Sequence, residues 1–289
     1  MALGSDHITT TTAGPLAPAN IYAQTYFAGA MKNKPALAFF TNYTPLFRAA
    51  GNGVALNVPK PAAFTTASKT VGTPLTPQNP TTTAATITIN QHFVVPFMVE
   101  KQVAEQAHLG ELERSYIAKA IDAVMNSVDA YILGLASGFA TTQAATNTTG
   151  DNLYAFFQAA RKTMNATGVP PENRGWFLGA DLESRCLGMT QFTSALYRGS
   201  QPVQTGDTGG AQFLGAQTFL AQNIASATVT TTTDTNFYAH KEAIGYVLTI
   251  NEFEKNYVPD HLGWLYTAHV QLGASVIDTA WGVKLTSTY

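Results

Sequence analysis

An α+β fold is predicted, and three features of the sequence predict it. Ile87, Ile89, Phe93, Val95, Phe97 and Val99 fall on alternate positions, the spacing of one face of a β-strand. From Glu111 the period changes: Leu112, Tyr116, Ile117, Ala120, Ile121, Val124, Val128, Tyr131, Ile132 and Leu135 recur three and four residues apart, as on an amphipathic helix. The C-terminal part returns to strand texture in "AIGYVLTI", "GWLYTAHVQLGASVI" and "GVKLTST".

The 289 residues suit one large or two modest domains with a sizeable core. Charged residues make up 12% of the chain, about half the usual share, and threonine stands in for them at about one residue in seven. Threonine favours strands and loops but solvates a surface weakly, so much of this surface is expected to be covered by neighbours. A net charge of −2 with scattered Lys and Arg excludes a dedicated sequence-reading nucleic-acid binder. A single cysteine, Cys186, excludes an internal disulfide and fits a reducing cytoplasm; in "LESRCLGM" it reads as a buried thiol. No apolar run is long enough to span a membrane, and the N-terminus lacks a secretory pattern.

Residues 1–19 lack periodicity and are rich in Thr, Ala, Gly and Pro, the texture of an arm. Asn20 is placed to cap a short helix, "IYAQTYFAGAMKN", ending before Pro35, with "ALAFFTNY" as an apolar anchor after it. From Arg48 to Thr83 short strand-like pieces alternate with Gly and Pro. Val54, Leu56 and Val58 alternate, while Pro74, Pro77 and Pro80 forbid a regular central strand. That segment lacks a core of its own. The strand of residues 87–99 follows at thirteen residues, about twice the usual length, and runs without turn residues into helix.

The long helix is expected over 111–135, ~37 Å at 1.5 Å per residue, with Gly134, Gly138 and the polar run "TTQAATNTTGD" closing it. Asp151 is placed to cap a second helix that Gly168 ends. "GWFLGA" reads as a buried strand and "ADLESRCLGM" as a helix. Residues 190–235 read as loop and short strand, with Gly206, Gly209, Gly210 and Gly215 as turn points.

No catalytic constellation emerges. "GDTGGAQFLG" is glycine-rich without the lysine of a phosphate loop, and "LGASV" around Ser275 lacks the second glycine of a nucleophile elbow. His7, His92, His108, His240, His261 and His269 include no pair at helix-borne zinc spacing. His261 and His269 are the pair most open to convergence in space, although ordinary histidines fit as well. Glu100, Glu105, Glu111 and Glu113 cluster in sequence on what reads as one solvated face, unlike an acid–base pair. The expectation is a non-enzyme, with no cofactor and no metal site.

The succession of parts resembles the major capsid proteins of tailed double-stranded DNA phages, the Hong Kong 97-type fold. "IYAQTYFAGAMKNKPALAFF" looks like the family's arm helix and anchor, and "GNGVALNVPKP" like the first edge of its extended loop. "ITINQHFVVPFMVEKQVAEQA" resembles the returning edge, "ERSYIAKAIDAVMNSVDAYIL" the spine helix, and "NLYAFFQAARKTMNATGVPPENRGWFLGADLESRCLG" the opening of the axial domain. The resemblance implies an N-terminal arm and anchor over 1–44, and an extended β-hairpin loop with its long strand over 45–99. It implies a peripheral domain with the spine helix over 100–150, an axial domain over 151–240, and return strands completing both over 241–289.

It further implies self-assembly through pentamers and hexamers into an icosahedral shell, synthesised in a host cytoplasm and residing in the virion. The implied partners are a separate scaffolding protein, a portal and a decoration protein, with nonspecific contact to packaged DNA and no membrane. Arg48, Lys60 and Lys69 in the loop, and Glu100, Glu105, Glu111 and Glu113 near the spine, become candidates for opposing charged patches between subunits. Some family members cross-link a loop lysine to a neighbour's asparagine. Lys69 lies in the corresponding loop, but no partner is indicated, so a non-covalent shell is expected. The alternatives are another virion or surface-layer structural protein, which the long helix opposes, and a cytosolic hydrolase.

Overall fold

The computed structural model of the chain describes residues 32–51, 53–62, 64–74, 77–102, 110–145, 151–190, 212–224 and 235–287. The expected arm and most of the helix after Asn20 lie outside the described residues; the last two residues of that helix, Lys32 and Asn33, are not helical. The apolar anchor divides into helix α1 (Pro35–Phe39) and strand β1 (Thr41–Asn42), and helix α2 (Thr44–Ala49) follows. Both helices carry proline in the first turn, where its missing N–H leaves no helical bond unmade.

β2 (Ala55–Pro61) and β3 (Thr82–Glu100) form an antiparallel hairpin, in register from Ala55↔Thr88 to Pro61↔Thr82. β3 has 19 residues, not the thirteen its apolar alternation marks, and is about 60 Å long at about 3.3 Å per residue. The extra residues, "TTAAT" and Ile87's neighbours toward the tip, are mostly exposed. They are held by backbone pairing with β2 and by β-branched threonine, so no buried face is needed to make them strand. Beyond Thr88 the partner changes to β10 (Gly263–Val276), from Gly273↔Ile89 to Gly263↔Glu100. Lys101 and Gln102 are already helical, as the missing turn residues suggest.

β9 (Ile244–Val258) pairs with β10 along its whole length, and β1 runs parallel to β9, giving the sheet order β1-β9-β10-β3-β2. β9 continues from Ile250, where its hydrophobic pattern fades, to Val258. Glu254 to Tyr257 are exposed, so pairing with β10 alone carries that end. The long helix α3 (Gly110–Gly134) is within one residue of expectation and tightens into a 3-10 turn, Leu135–Gly138. Ala120, Val124, Val128 and Ile132 are buried against β3 and β10, but Ile121 is 43% exposed and turns off the stripe.

The second sheet has the order β4-β11-β8-β5-β7-β6. It comprises β4 (Thr141–Ala145), β5 (Arg174–Leu178), β6 (Gln212–Phe213), β7 (Ala216–Leu220), β8 (Asn236–His240) and β11 (Gly282–Ser287). Helices α4 (Asp151–Ala166) and α5 (Ala180–Cys186) pack on it. Asp151 is the first helical residue rather than the cap before it, and Gly168 follows the helix at φ 75, a left-handed backbone favoured by glycine. Two strands escape the sequence patterns. β4 arises from the polar "TTQAA", which pairs parallel to β11 at the sheet edge. β8, "NFYAH", is buried at all five positions between β11 and β5 and so shows no alternation.

One core joins the two sheets. Ala268, Val270 and Leu272 of β10 share it with Phe177 and Phe237 of the second sheet, across Ile132, Ala136 and Phe139. Phe40 stacks on Phe177 at 5.3 Å, and Phe177 on Phe237 at 4.6 Å. A second cluster under α4 centres on Trp176, stacked on Tyr238 at 3.8 Å.

Candidate functional site

The body of the molecule contains a cavity and several buried titratable groups. A 420 Å³ cavity is lined by Phe39, Asn173, Arg174, Gly215, Phe219 and Lys241. Its one buried charge, Arg174, is committed to structure. Its Nε donates to the Pro170 carbonyl at 2.7 Å and its Nη1 to Asn165 Oδ1 at 2.7 Å, tying down the "PPENR" corner. His240 is buried edge-on to Trp281, its Nδ1 accepting from the Glu242 N–H at 3.2 Å. Burial pushes its pKa below 6.5, with the Arg174 charge adding to it and Glu242 pulling the other way, which favours the neutral ring. Cys186 is fully buried. Among the described residues no three metal-ligating side chains gather, and no helix is long and apolar enough to cross a membrane. His261, in the turn after β9, stays far from His269. Six residues of strand separate His269 from Gly263, about 20 Å.

The arm formed by β2, β3 and the intervening residues 62–81 has a different chemistry. Its root is built into the body. Leu56, Val58 and Ile89 pack around a small cluster of Phe47, Ile87 and Val247, so this end has more core than its sequence suggests. The Ile89 N–H donates to the Val54 carbonyl at 3.0 Å, and Lys60 forms an ion pair with Asp278. The other oxygen of Asp278 accepts from the Ala280 N–H at 3.0 Å, so one carboxylate joins the arm to the turn before β11.

The tip has local order without a core. Gln78 clips its two limbs together: its Oε1 accepts from the Thr65 N–H at 3.0 Å and its Nε2 donates to the Thr65 carbonyl. A turn at Thr70–Thr73 is closed by the Thr73 hydroxyl, which donates to the Thr70 carbonyl at 2.7 Å, with Gly72 at φ 90. Yet Phe64 is 71% exposed and Val71 wholly exposed. Both are large apolar groups on a segment that has no core of its own. The far end of the β9–β10 hairpin is a second such place, where Tyr257, Leu262 and Trp264 are exposed and Lys255 Nζ lies 5.0 Å from the Trp264 ring.

A third feature fixes where the N-terminal segment enters. Asp129 of α3 is buried and accepts from the Ala36 N–H and from Asn223 Nδ2, each at 3.0 Å. Burial raises its pKa, with Asn223, Ala36 and Lys34 pulling the other way. Two turns earlier in α3, Asp122 pairs with Lys34. Asn33 reaches across to Gln222 and Leu220, its N–H donating to Gln222 Oε1 at 2.9 Å.

The charged candidates divide. Arg48, in the last turn of α2, and Lys69, in the tip, are exposed. Lys60 is engaged within its own chain by Asp278. Glu100 is half-buried opposite Gly263 at the end of β3. Glu105 lies outside the described residues, and Glu111 and Glu113 are placed only as backbone at the start of α3. Asp278, Asp129, Phe64 and Val71 were not singled out by the sequence. Phe64 and Val71 carried a signal nonetheless, as apolar residues without a periodic partner in a Pro/Gly-rich stretch.

No family model matches the sequence, and no curated protein sequence matches it. Solved structures do match. A chain from Mycobacterium phage Che8 is similar with a TM-score of 0.75 at 18% identity, over 92% of this chain and 97% of that one. A chain of the capsid of cyanophage P-SCSP1u is similar with a TM-score of 0.73 at 16% identity, over 93% and 92%. A chain of the capsid of an empty GTA particle aligns over 100% of both chains, with a TM-score of 0.58 at 11% identity. The chain therefore has the α+β Hong Kong 97-type capsid fold.

Proposed function

We propose that this chain is the major capsid protein of a tailed phage, the repeated subunit that self-assembles into an icosahedral head around packaged double-stranded DNA. The observation that carries this reading is the projecting arm, which presents Phe64 and Val71 to solvent on a fold shared along its length with capsid chains. An arm without its own core is stabilised by lying on an adjacent subunit, and ring closure into pentamers and hexamers needs such heterologous contacts. The chain's low charge fits faces that neighbours cover.

In this reading the five-stranded sheet with α3 is the peripheral domain and the six-stranded sheet the axial domain. Exposed Arg48 and Lys69 meet acidic groups of a neighbour, while Lys60 sets the angle of the arm within its own subunit. Partners are further copies of the chain, a separate scaffolding protein, a portal and a decoration protein. Contact with packaged DNA is nonspecific and weakens with salt. The chain acts in the virion as a structural element and catalyses nothing.

Electron microscopy of the purified recombinant chain, with size-exclusion chromatography alongside, tests the proposal. Shells or five- and sixfold capsomers are expected. A monomer that persists at high concentration, with scaffolding protein supplied, overturns it.

A further inference from the structure

The sheet face turned away from α3 carries a histidine pair that the assembly reading does not use. Along β3, Phe93, Val95 and Phe97 pack toward the core beneath α3, so His92 alternates to the opposite face. Along β10, Ala268 and Val270 are core residues, and His269 alternates outward in the same way. The register sets His92 opposite Gln271 and His269 opposite Val94, which makes the two histidines diagonal cross-strand neighbours. His92 Nε2 lies 3.4 Å from His269 Nδ1, with the rings inclined at 68°. The other nitrogen of His269, Nε2, faces Glu254 Oε1 of β9 at 3.9 Å.

We propose that His92 and His269 bind one divalent transition-metal ion of the zinc class. Two imidazole nitrogens on a tetrahedral zinc, each at about 2.0–2.1 Å, lie about 3.3–3.4 Å apart. The observed separation is that spacing. Glu254 supplies the second half of the arrangement. Its Oε1 lies 3.9 Å from His269 Nε2, beyond hydrogen-bond reach, and places negative charge beside the pair, which favours a bound cation. The three side chains come from three adjacent strands, β3, β10 and β9, so the backbone holds their spacing without the ion. His92 is exposed, so an ion reaches the site from solvent. Only two ring nitrogens are supplied, and water or a donor from another molecule completes the coordination. Imidazole donors select zinc, nickel or copper over magnesium or calcium. The site lies within one chain and stands independently of assembly.

Isothermal titration of the unassembled full-length chain with zinc chloride tests the proposal, with melting temperature followed in parallel. One zinc per chain is expected, with a metal-dependent rise in melting temperature. His92→Gln, an exposed position whose substitution leaves the fold intact, should weaken binding at least about tenfold. His269→Gln should do the same, and Glu254→Gln, which removes only a nearby charge, should weaken it less than either histidine substitution. Should His269→Gln fail to fold, His92→Gln decides alone. The absence of zinc binding up to millimolar concentration overturns the proposal. So does binding that His92→Gln leaves unchanged, which would put the ion at other histidines.

Discussion

Asp129 is the residue whose behaviour tests the body of the molecule most directly. Truncation to Ala orphans the Ala36 N–H and the Asn223 amide in a buried site, and should lower stability by about 2–4 kcal/mol in urea denaturation. The isosteric Asp129→Asn separates charge from shape. Burial raises the folded pKa above the ordinary 3.8, so the folded chain holds this proton more tightly than the unfolded one. The carboxyl group's contribution is then fully present below pH 3.8 and is lost as pH rises through the folded value. The side-chain amide of Asp129→Asn cannot ionise, so the variant should gain on the wild type as pH rises across that window. If it instead loses ground, the two donors and Lys34 outweigh desolvation. The residue was hidden in the sequence. Asp129 sits four residues before buried Leu133 on α3, but the apolar stripe around it reads the same whether an acid there is solvated or pinned.

The arm is the element on which the proposed assembly turns, and its two ends have separate roles in that reading. Replacing residues 62–81 with Asn-Gly keeps β2 paired with β3, keeps Lys60 beside Asp278, and retains the cluster of Phe47, Ile87 and Val247. Such a variant should melt within a few degrees of the wild type and remain unassembled by size-exclusion chromatography. Assembly that survives the replacement would remove the tip from the interface. A broader deletion that takes β2 would also strip Leu56 and Val58 from the root, mixing the two effects. Element-scale legibility followed burial. β10 and the Phe93–Phe97 part of β3 have one face in the main core and alternate accordingly, while Ile87 and Ile89, beyond the bulge, pack in the separate cluster with Phe47 and Val247. The Thr82–Ala85 end, the outer half of β9 and polar β4 are strands because a neighbour pairs with them, which no local period encodes. β8 is buried throughout and loses its period for the opposite reason.

At the scale of the whole molecule, the shared aromatic cluster makes the two sheets one folding unit. Phe177 and Phe237 belong to the second sheet yet pack in the same cluster as β10 of the first. Calorimetry of the unassembled chain should therefore show one transition, with calorimetric and van't Hoff enthalpies equal despite the chain's length. Phe177→Ala should shift that single transition downward, by about 3–5 kcal/mol in stability. Two resolved transitions would mean that the sheets fold apart. The order of the parts was legible, from long strand to long helix to return strands. The crossing of β11 back to β4 and the placement of β8 beside β5 were not, because both join segments far apart in sequence.

β3 passes from its partner in the arm to its partner in the body as one strand, with a bulge at Asn90 where the register against β10 shifts. A tether would let the tip wander and absorb strain in a loose joint. A strand that runs on into the body, with the arm braced at the tip-side end of its hairpin by Lys60 on Asp278, instead transmits a push at the tip as a torque on the sheet that carries α3. In the proposed shell, a neighbour that grips the tip sets the tilt of the whole subunit, and a misdocked one is felt as leverage across the molecule.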